Sequence, residues 1–300
     1  MLPSIPLTLL LASLPTASAR DLPPNLQSFY TTLLSQKSCT NPLRSGFYSS
    51  DSGPNTFSYC GDHLSSSGII YIRGQGRGKL ANMDVDCDGV QNGPGSEDGR
   101  CSVGASPDYQ NTTAFQDVIA SYNIPGVTDL NTYVHPYVVF GNEIASRDSR
   151  IDGIQLFDPR DHGVEPLSVM AVVCDGGKKL VYGVWGDTNG SENGTKAMVG
   201  EASLALATAC GGKEMSGRNG IDDEDVLYLA FTGQEAVPGR EGARWDAAGF
   251  EEFERSVEEL GERLVSRIKV DEGAAAGMVR VSWGLMMVVL VVGYLGVSGI

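Results

Sequence analysis
Cations are scarce in this sequence: 22 Lys and Arg stand against 37 Asp and Glu, giving 300 residues a formal charge of −15. A nucleic-acid partner is thereby disfavoured, because binding a phosphate backbone requires Lys and Arg to displace its counterions. A neutral or cationic partner fits better. Several catalytic signatures are missing too. No Gly-x-Ser-x-Gly elbow and no His-Glu-x-x-His helix occur, so serine and zinc hydrolases lose their usual anchors. The three histidines, His63, His135 and His162, are scattered, and no Cys-x-x-Cys pair accompanies them, so a zinc site is not expected. No repeat of 20 to 50 residues appears, which argues against a solenoid or propeller.

The first nineteen residues carry no charged side chain and run through Leu9, Leu10 and Leu11 to Ala17, Ser18 and Ala19. Such a segment reads as a secretory signal with a small-residue cleavage site, so the mature chain is expected to start near Arg20. Export makes the six cysteines (Cys39, Cys60, Cys87, Cys101, Cys174, Cys210) readable as up to three disulfides, with the pairing left open. Three glycosylation sequons agree with export: Asn111 with Thr113, Asn189 with Ser191, and Asn193 with Thr195. Val281 to Ile300 is almost wholly apolar and follows the small residues Gly273 to Gly277. That combination matches a glycolipid-anchor signal, with a retained membrane span as the alternative. The expectation is a secreted protein held at the cell surface.

Between these ends the chain divides into a leader over 20–45, a central domain over 46–240, a helical segment over 241–272 and the tail over 273–300. In the leader, Leu22 to Leu34 reads as a short helix. The central part consists of short apolar runs punctuated by Gly, Asn, Asp and Pro. Strands are expected at Ile69 to Ile72, Val134 to Phe140, Leu167 to Val173, Leu180 to Trp185 and Val226 to Phe231. Helix is expected only at Thr113 to Tyr122 and Glu201 to Ala209. The fold class is therefore mainly β with some α, an α+β domain resembling a compact barrel. Phe250, Phe253, Val257, Leu260, Leu264 and Ile268 recur at three- and four-residue steps, giving an amphipathic helix that either packs back or serves as a stalk.

Chemistry concentrates around the loop that follows Leu180 to Trp185. Asp187 stands at its start and Glu201 at its end, where a helix is expected to open. Two acids brought into one cleft are the minimum equipment for hydrolysing a glycosidic bond. Asp84, Asp86 and Asp88 alternate along an extended segment, which places them on one face. They read as subsites for a cationic sugar, as hard-cation ligands, or as a turn flanked by disulfides. A calcium loop of the EF-hand kind fails, because its twelfth position is Gly95 rather than Glu. Gly74, Gly76 and Gly78 read as a hairpin tip and not as a phosphate loop, because no Gly-Lys-Ser/Thr ending follows.

Six stretches together resemble the fungal chitosanases of glycoside hydrolase family 75. They are Phe57 to Asp62, Asn82 to Gly89, His135 to Glu143, Glu165 to Ser168, Tyr182 to Asp187 with Gly200 to Ser203, and Asp225 to Tyr228. The resemblance spans roughly 40–240 and leaves 241–300 outside. It implies endo-hydrolysis of a β-1,4-linked glucosamine polymer with inversion, Asp187 and Glu201 being the catalytic acids. Which is donor and which is base stays open. Glu is the commoner proton donor, which favours Glu201 as acid, yet a helix N-terminus would favour Glu201 as an anion. Burial against Trp185 or Tyr182 could reverse that argument. Asp84, Asp86, Asp88 and Glu143 are then candidate subsites, and Trp185 and Tyr137 candidate stacking platforms, with core packing the alternative for both rings. The expected partner is chitosan, with no cofactor, no metal and a monomeric chain. A non-catalytic wall-binding protein on the same scaffold is the rival reading.

Overall fold
A computed structural model describes residues 20–50, 52–90, 92–102, 109–142, 156–189 and 196–269. The signal segment, the apolar tail, Glu143 and Asn193 lie outside the described residues. Among the described residues, no helix is long and apolar enough to cross a membrane.

Helix α1 (Pro24–Ser35) opens the described chain, with a proline at its start where no N–H is needed. Strands β1 (Pro42–Phe47) and β2 (Phe57–Cys60) follow, then the single turn α2 (Leu64–Ser67), β3 (Ile69–Gly74) and β4 (Ala81–Asp86). After α3 (Gln116–Ser121) come β5 (Tyr137–Asn142), β6 (Val169–Cys174), β7 (Lys179–Asn189) and the short β8 (Glu201–Ser203). Helix α4 (Leu204–Gly211), β9 (Ile221–Phe231) and α5 (Phe250–Val265) complete the order.

The nine strands form one mixed sheet in the order β1-β2-β3-β9-β4-β8-β5-β7-β6, and a further pairing of β6 with β9 closes six of them into a ring. Strand β9 makes this closure because it is long enough to serve several neighbours. Val226 pairs with Ala81 of β4, Leu229 to Phe231 pair with β3, and Leu227 to Ala230 pair with β6. Its acidic first half is largely solvent-facing, whereas Val226–Phe231 is wholly buried. Strand β6 is buried at every position, as expected for a continuous apolar run covered on both faces.

Several boundaries move relative to the sequence reading, each for a local reason. Strand β6 starts at Val169 because Glu165 to Ser168 form a turn, with Ser168 N–H donating to the Glu165 carbonyl at 3.0 Å and Leu167 in a left-handed conformation (φ 63°). Strand β5 starts at Tyr137 because His135 N–H donates back to the Asn131 carbonyl at 2.8 Å. Strand β7 runs past Trp185 to Asn189, so Asp187 lies within a strand and not at a loop entrance. Glu201 likewise lies on a strand: α4 begins at Leu204, and its N-cap is Ser203, whose Oγ accepts from Leu206 N–H at 3.3 Å. The expectation of Glu201 at a helix start is therefore corrected, and with it the dipole argument for its charge.

The C-terminal helix packs back on the domain. Helix α5 lies on β6 and β7, burying Phe253, Glu254, Val257, Leu264 and Val265, while its other Glu and Arg residues cover the outer face. The stalk alternative falls away for 250–265. Gly261 sits where a Cβ would come within 2.5 Å of the Tyr182 ring, so helix and strand approach more closely than any side chain would permit. Arg20 fastens the same corner. It exchanges backbone hydrogen bonds with Leu180, binds Glu254 at 2.7 Å and Glu258 at 3.2 Å, and lies 5.0 Å from the centre of the Tyr182 ring.

The six cysteines pair as Cys39–Cys60, Cys87–Cys101 and Cys174–Cys210. The first ties the link after α1 to β2, and the third joins the end of β6 to α4. The second closes a loop that starts between Asp86 and Asp88.

Candidate active site
The ring of strands aligns the acids in one cross-strand row. Asp84 of β4 pairs with Glu201 of β8, Glu201 pairs with Val139 of β5, and Val139 pairs with Asp187 of β7. Laterally paired residues project from the same face of a sheet. Neighbouring strands lie about 4.8 Å apart, so two strand spacings put the Glu201 and Asp187 backbones about 10 Å from each other. Solvent contact falls along this row: Asp84 is exposed, Glu201 half-buried and Asp187 only 5% exposed.

A register irregularity at Gly186 sets the position of Asp187. Trp185 pairs with Val138 and Asp187 with Val139, so Gly186 is the extra residue. A Cβ there would meet the Tyr137 and Leu130 side chains at 2.5 and 2.6 Å, which explains glycine immediately before the acid. Asp187 Oδ1 accepts from the backbone N–H groups of Ala114 (2.9 Å) and Thr188 (2.7 Å). Its Oδ2 is buried with no hydrogen-bond partner among the described residues. The Ala114 donor is held in turn by Asp129, whose carboxylate accepts from Thr113 N–H, Thr113 Oγ1 and Leu130 N–H at 2.6 to 2.8 Å.

Asp86 and Asp88 do not form a surface subsite with Asp84. They are 4% and 6% exposed, and one oxygen from each lies within 4.8 Å of the other and of an Asp187 oxygen. Asp86 Oδ1 accepts from Asp88 N–H (2.7 Å), and Asp88 Oδ1 from Gln110 N–H (2.5 Å). Thr132 Oγ1 donates to the Asp86 carbonyl and accepts from Leu204 N–H, which ties the end of β4 to the start of α4. Like charges this close and this dry cannot all be ionised without a compensating cation or proton. Burial, then the charges of Asp187, Asp88 and Glu201, push the Asp86 carboxyl well above the usual carboxylate range. Burial, then the Asp88 charge, push Asp187 in the same direction, against the opposing pull of the Ala114 and Thr188 N–H groups. Chemically, the trio is able to hold a cation or to retain a proton above the usual carboxylate range.

The two aromatic candidates lie in the core. Trp185 is fully buried, stands edge-on to Phe115 at 4.8 Å and donates its Nε1–H to the Asp187 carbonyl at 2.9 Å. Tyr137 is fully buried and donates its hydroxyl to the Asp88 carbonyl at 3.0 Å. In this arrangement neither ring presents a face to a sugar. Both brace the backbone that carries an acid. Of the sequons, Asn111 is exposed while the hydroxyl of its Thr113 is spent on Asp129. Asn189 is partly buried and donates its Nδ2 to the Met198 carbonyl at 3.1 Å.

Ala114, Thr132 and Asp129 carried no sequence signal. Their contributions are a backbone N–H, a hydroxyl bridge and a brace, visible only once distant segments meet.

Comparison with known proteins places these features in a family. The model of the fungal chitosanases of glycosyl hydrolase group 75 matches residues 83–267, a span that includes every acid of the row and all of α5. The match thus runs beyond residue 240, where the sequence resemblance ended. Endo-chitosanase B of Aspergillus oryzae is 43% identical over 256 residues, covering 84% of this chain and 94% of that protein. An endo-chitosanase of the same species is 44% identical with the same coverage. An endo-chitosanase of Aspergillus fumigatus is 41% identical over 255 residues. The chain belongs to the fungal chitosanases of glycosyl hydrolase group 75.

Proposed function
We propose that the protein is an endo-chitosanase, hydrolysing β-1,4 linkages between glucosamine units of chitosan with inversion, and that Asp187 and Glu201 are its acid/base pair. The observation that carries this reading is the cross-strand row, which sets the two acids two strands apart with only Val139 between them. An inverting glycosidase needs its carboxyl groups about 6.5–9.5 Å apart to leave room for water. Two strand spacings suit that gap, whereas adjacent strands would suit the closer pair of a retaining enzyme.

One acid protonates the glycosidic oxygen as its bond to the anomeric carbon breaks. The other takes a proton from the water whose oxygen attacks that carbon from the opposite face. The exposed Asp84 extends the row as a point of attraction for a glucosamine ammonium, and the charge of −15 favours a polycation throughout. Secretion is supported by three disulfides formed in the folded chain. The reading extends to attachment at the cell surface through the apolar tail, which release by a glycolipid-specific phospholipase would check.

The test is reducing-end release from highly deacetylated chitosan. The unaltered protein should release ends, and Asp187→Asn and Glu201→Gln should each lower kcat about 10²- to 10⁴-fold. A folded protein that binds chitosan without cutting it would overturn the reading in favour of a binding role. Undiminished cleavage by both variants would overturn the choice of acids.

A further inference from the structure
We propose that Asp86 and Asp187 share a single proton between their carboxyl groups, which makes Asp187 the proton donor of the reaction and leaves Glu201 as the base. Asp86 is then a positioning residue that acts through Asp187. The assignment of roles rests on the function proposed above; the shared proton does not.

Geometry supplies the argument. One oxygen of each of Asp86, Asp88 and Asp187 falls within 4.8 Å of the others, and all three residues are at least nine-tenths buried. One oxygen of each accepts from backbone N–H: Asp86 from Asp88, Asp88 from Gln110, and Asp187 from both Ala114 and Thr188. Those donors hold the carboxyl groups in place through Oδ1 of each. Asp187 Oδ2 is the atom left without a partner in a closed environment, and a buried acceptor of that kind calls for a hydrogen. A proton held between two carboxyl groups supplies it, as in paired acids that cannot both ionise.

The surroundings are uniformly acidic. Asp187, Asp88 and Glu201 are the charges that act on Asp86, and Asp88 and Asp129 those that act on Asp187. Tyr137, packed beside them from β5, is itself driven toward its neutral form by burial and by Asp86, Asp187 and Asp88. Glu201 differs: it is half-buried, next to the exposed Asp84, where water can solvate an anion. Burial therefore separates the two roles, with the neutral acid deep in the row and the charged base near solvent. In the reaction the proton leaves Asp187 for the glycosidic oxygen, Glu201 takes one from the attacking water, and solvent exchange restores both.

Carboxylic-acid carbonyl absorption in the infrared reads the proton without any substrate. The difference spectrum between the unaltered protein and Asp187→Asn should contain a protonated carboxyl band at about pH 7, far above the ordinary carboxylate range. In Asp86→Asn the pH at which this band disappears should fall by about one unit or more, a tenfold change in proton affinity. Asp86→Ser repeats the measurement should the first variant not fold. The alkaline limb of kcat, measured at saturating chitosan so that amine titration in binding does not intrude, should move down by the same amount. No band in the difference spectrum, or stoichiometric binding of calcium or magnesium that abolishes it, would overturn the shared proton. A shift of the acid limb in place of the alkaline one would overturn the donor role of Asp187 while leaving the shared proton standing.

Discussion
Strand β7 carries two buried-acid environments. Toward one end Asp187 meets Asp86 and Asp88, with an oxygen left unpaired. Toward the other, Glu254 of α5 reaches the Tyr182 N–H at 3.2 Å and the Arg20 guanidinium at 2.7 Å. Burial raises the proton affinity of both acids and backbone N–H groups oppose it at both, but Arg20 pulls Glu254 further back, whereas the charges of Asp88 and Asp129 push Asp187 further up. A buried carboxylate that finds a cation is a fastening. One crowded by other carboxylates has its proton affinity raised, and a raised proton affinity is what acid catalysis uses. With the proposed function, the same strand has a structural end and a chemical end.

The sharpest way to break this contrast, after the loss of turnover expected from Asp187→Asn, is to make Glu254 resemble Asp187. Arg20→Ala removes its cation and leaves the carboxylate buried. A charged hydrogen bond lost in this way costs about 1.5–3 kcal/mol. Chemical denaturation should show a loss of that size, with kcat on chitosan unchanged, because Arg20 contacts only the outer corner formed by Leu180, Tyr182 and α5. Unchanged stability would mean that the pair contributes nothing and that the contrast is only geometric.

What the sequence disclosed follows the same division. Strands β6 and β7 were legible because apolar and β-branched runs are a local signal, and α5 because its 3.6-residue periodicity is. Strand β4 was legible only in part: the alternation through Asp84 and Asp86 read as an extended segment, and its pairing with β8 and β9 could not be read. Strand β8 was absorbed into the helix that follows it, because three residues before an Ala- and Leu-rich run offer no separate pattern. Asp187 and Glu201 were singled out through family resemblance, and their alignment across Val139 is a product of the ring. Asp84, Asp86 and Asp88 read from their alternation as one face of an extended segment, yet Asp84 alone is exposed while Asp86 and Asp88 are buried. Their meeting with Asp187 joins segments about a hundred residues apart, a juxtaposition that no local pattern encodes.

A smaller effect tests the close approach that holds the structural end. Gly261→Ala places a methyl group against the Tyr182 ring, 2.5 Å from its nearest carbon, and the helix must shift outward. Overpacking of this kind costs about 1–3 kcal/mol, and the site, which lies beyond β7 from α5, should keep its pH profile. A displaced profile would show that the two ends of the strand are coupled.

Smallest at any single step of pH is the effect on stability at the chemical end, and its sign follows from linkage. Asp187 and Asp86 bind protons more tightly folded than unfolded. Their contribution is therefore present in full below the unfolded carboxyl range of about 4, and is lost as pH rises toward their folded values. Asp187→Asn keeps an acceptor for Ala114 and Thr188 while removing the charge. It should melt close to the unaltered protein at about pH 4, then gain relative stability by about 1 kcal/mol for each unit of pH until the folded value is passed. Thermal melts across that range read the slope directly. A fastening such as Glu254 behaves differently in kind, because Glu254→Gln also surrenders the attraction to Arg20, so its gain with pH should be the weaker of the two. Equal slopes for the two variants would show that the cation near Glu254 and the carboxylates near Asp187 leave the two acids in the same electrostatic state, and the division of β7 into two ends would fail.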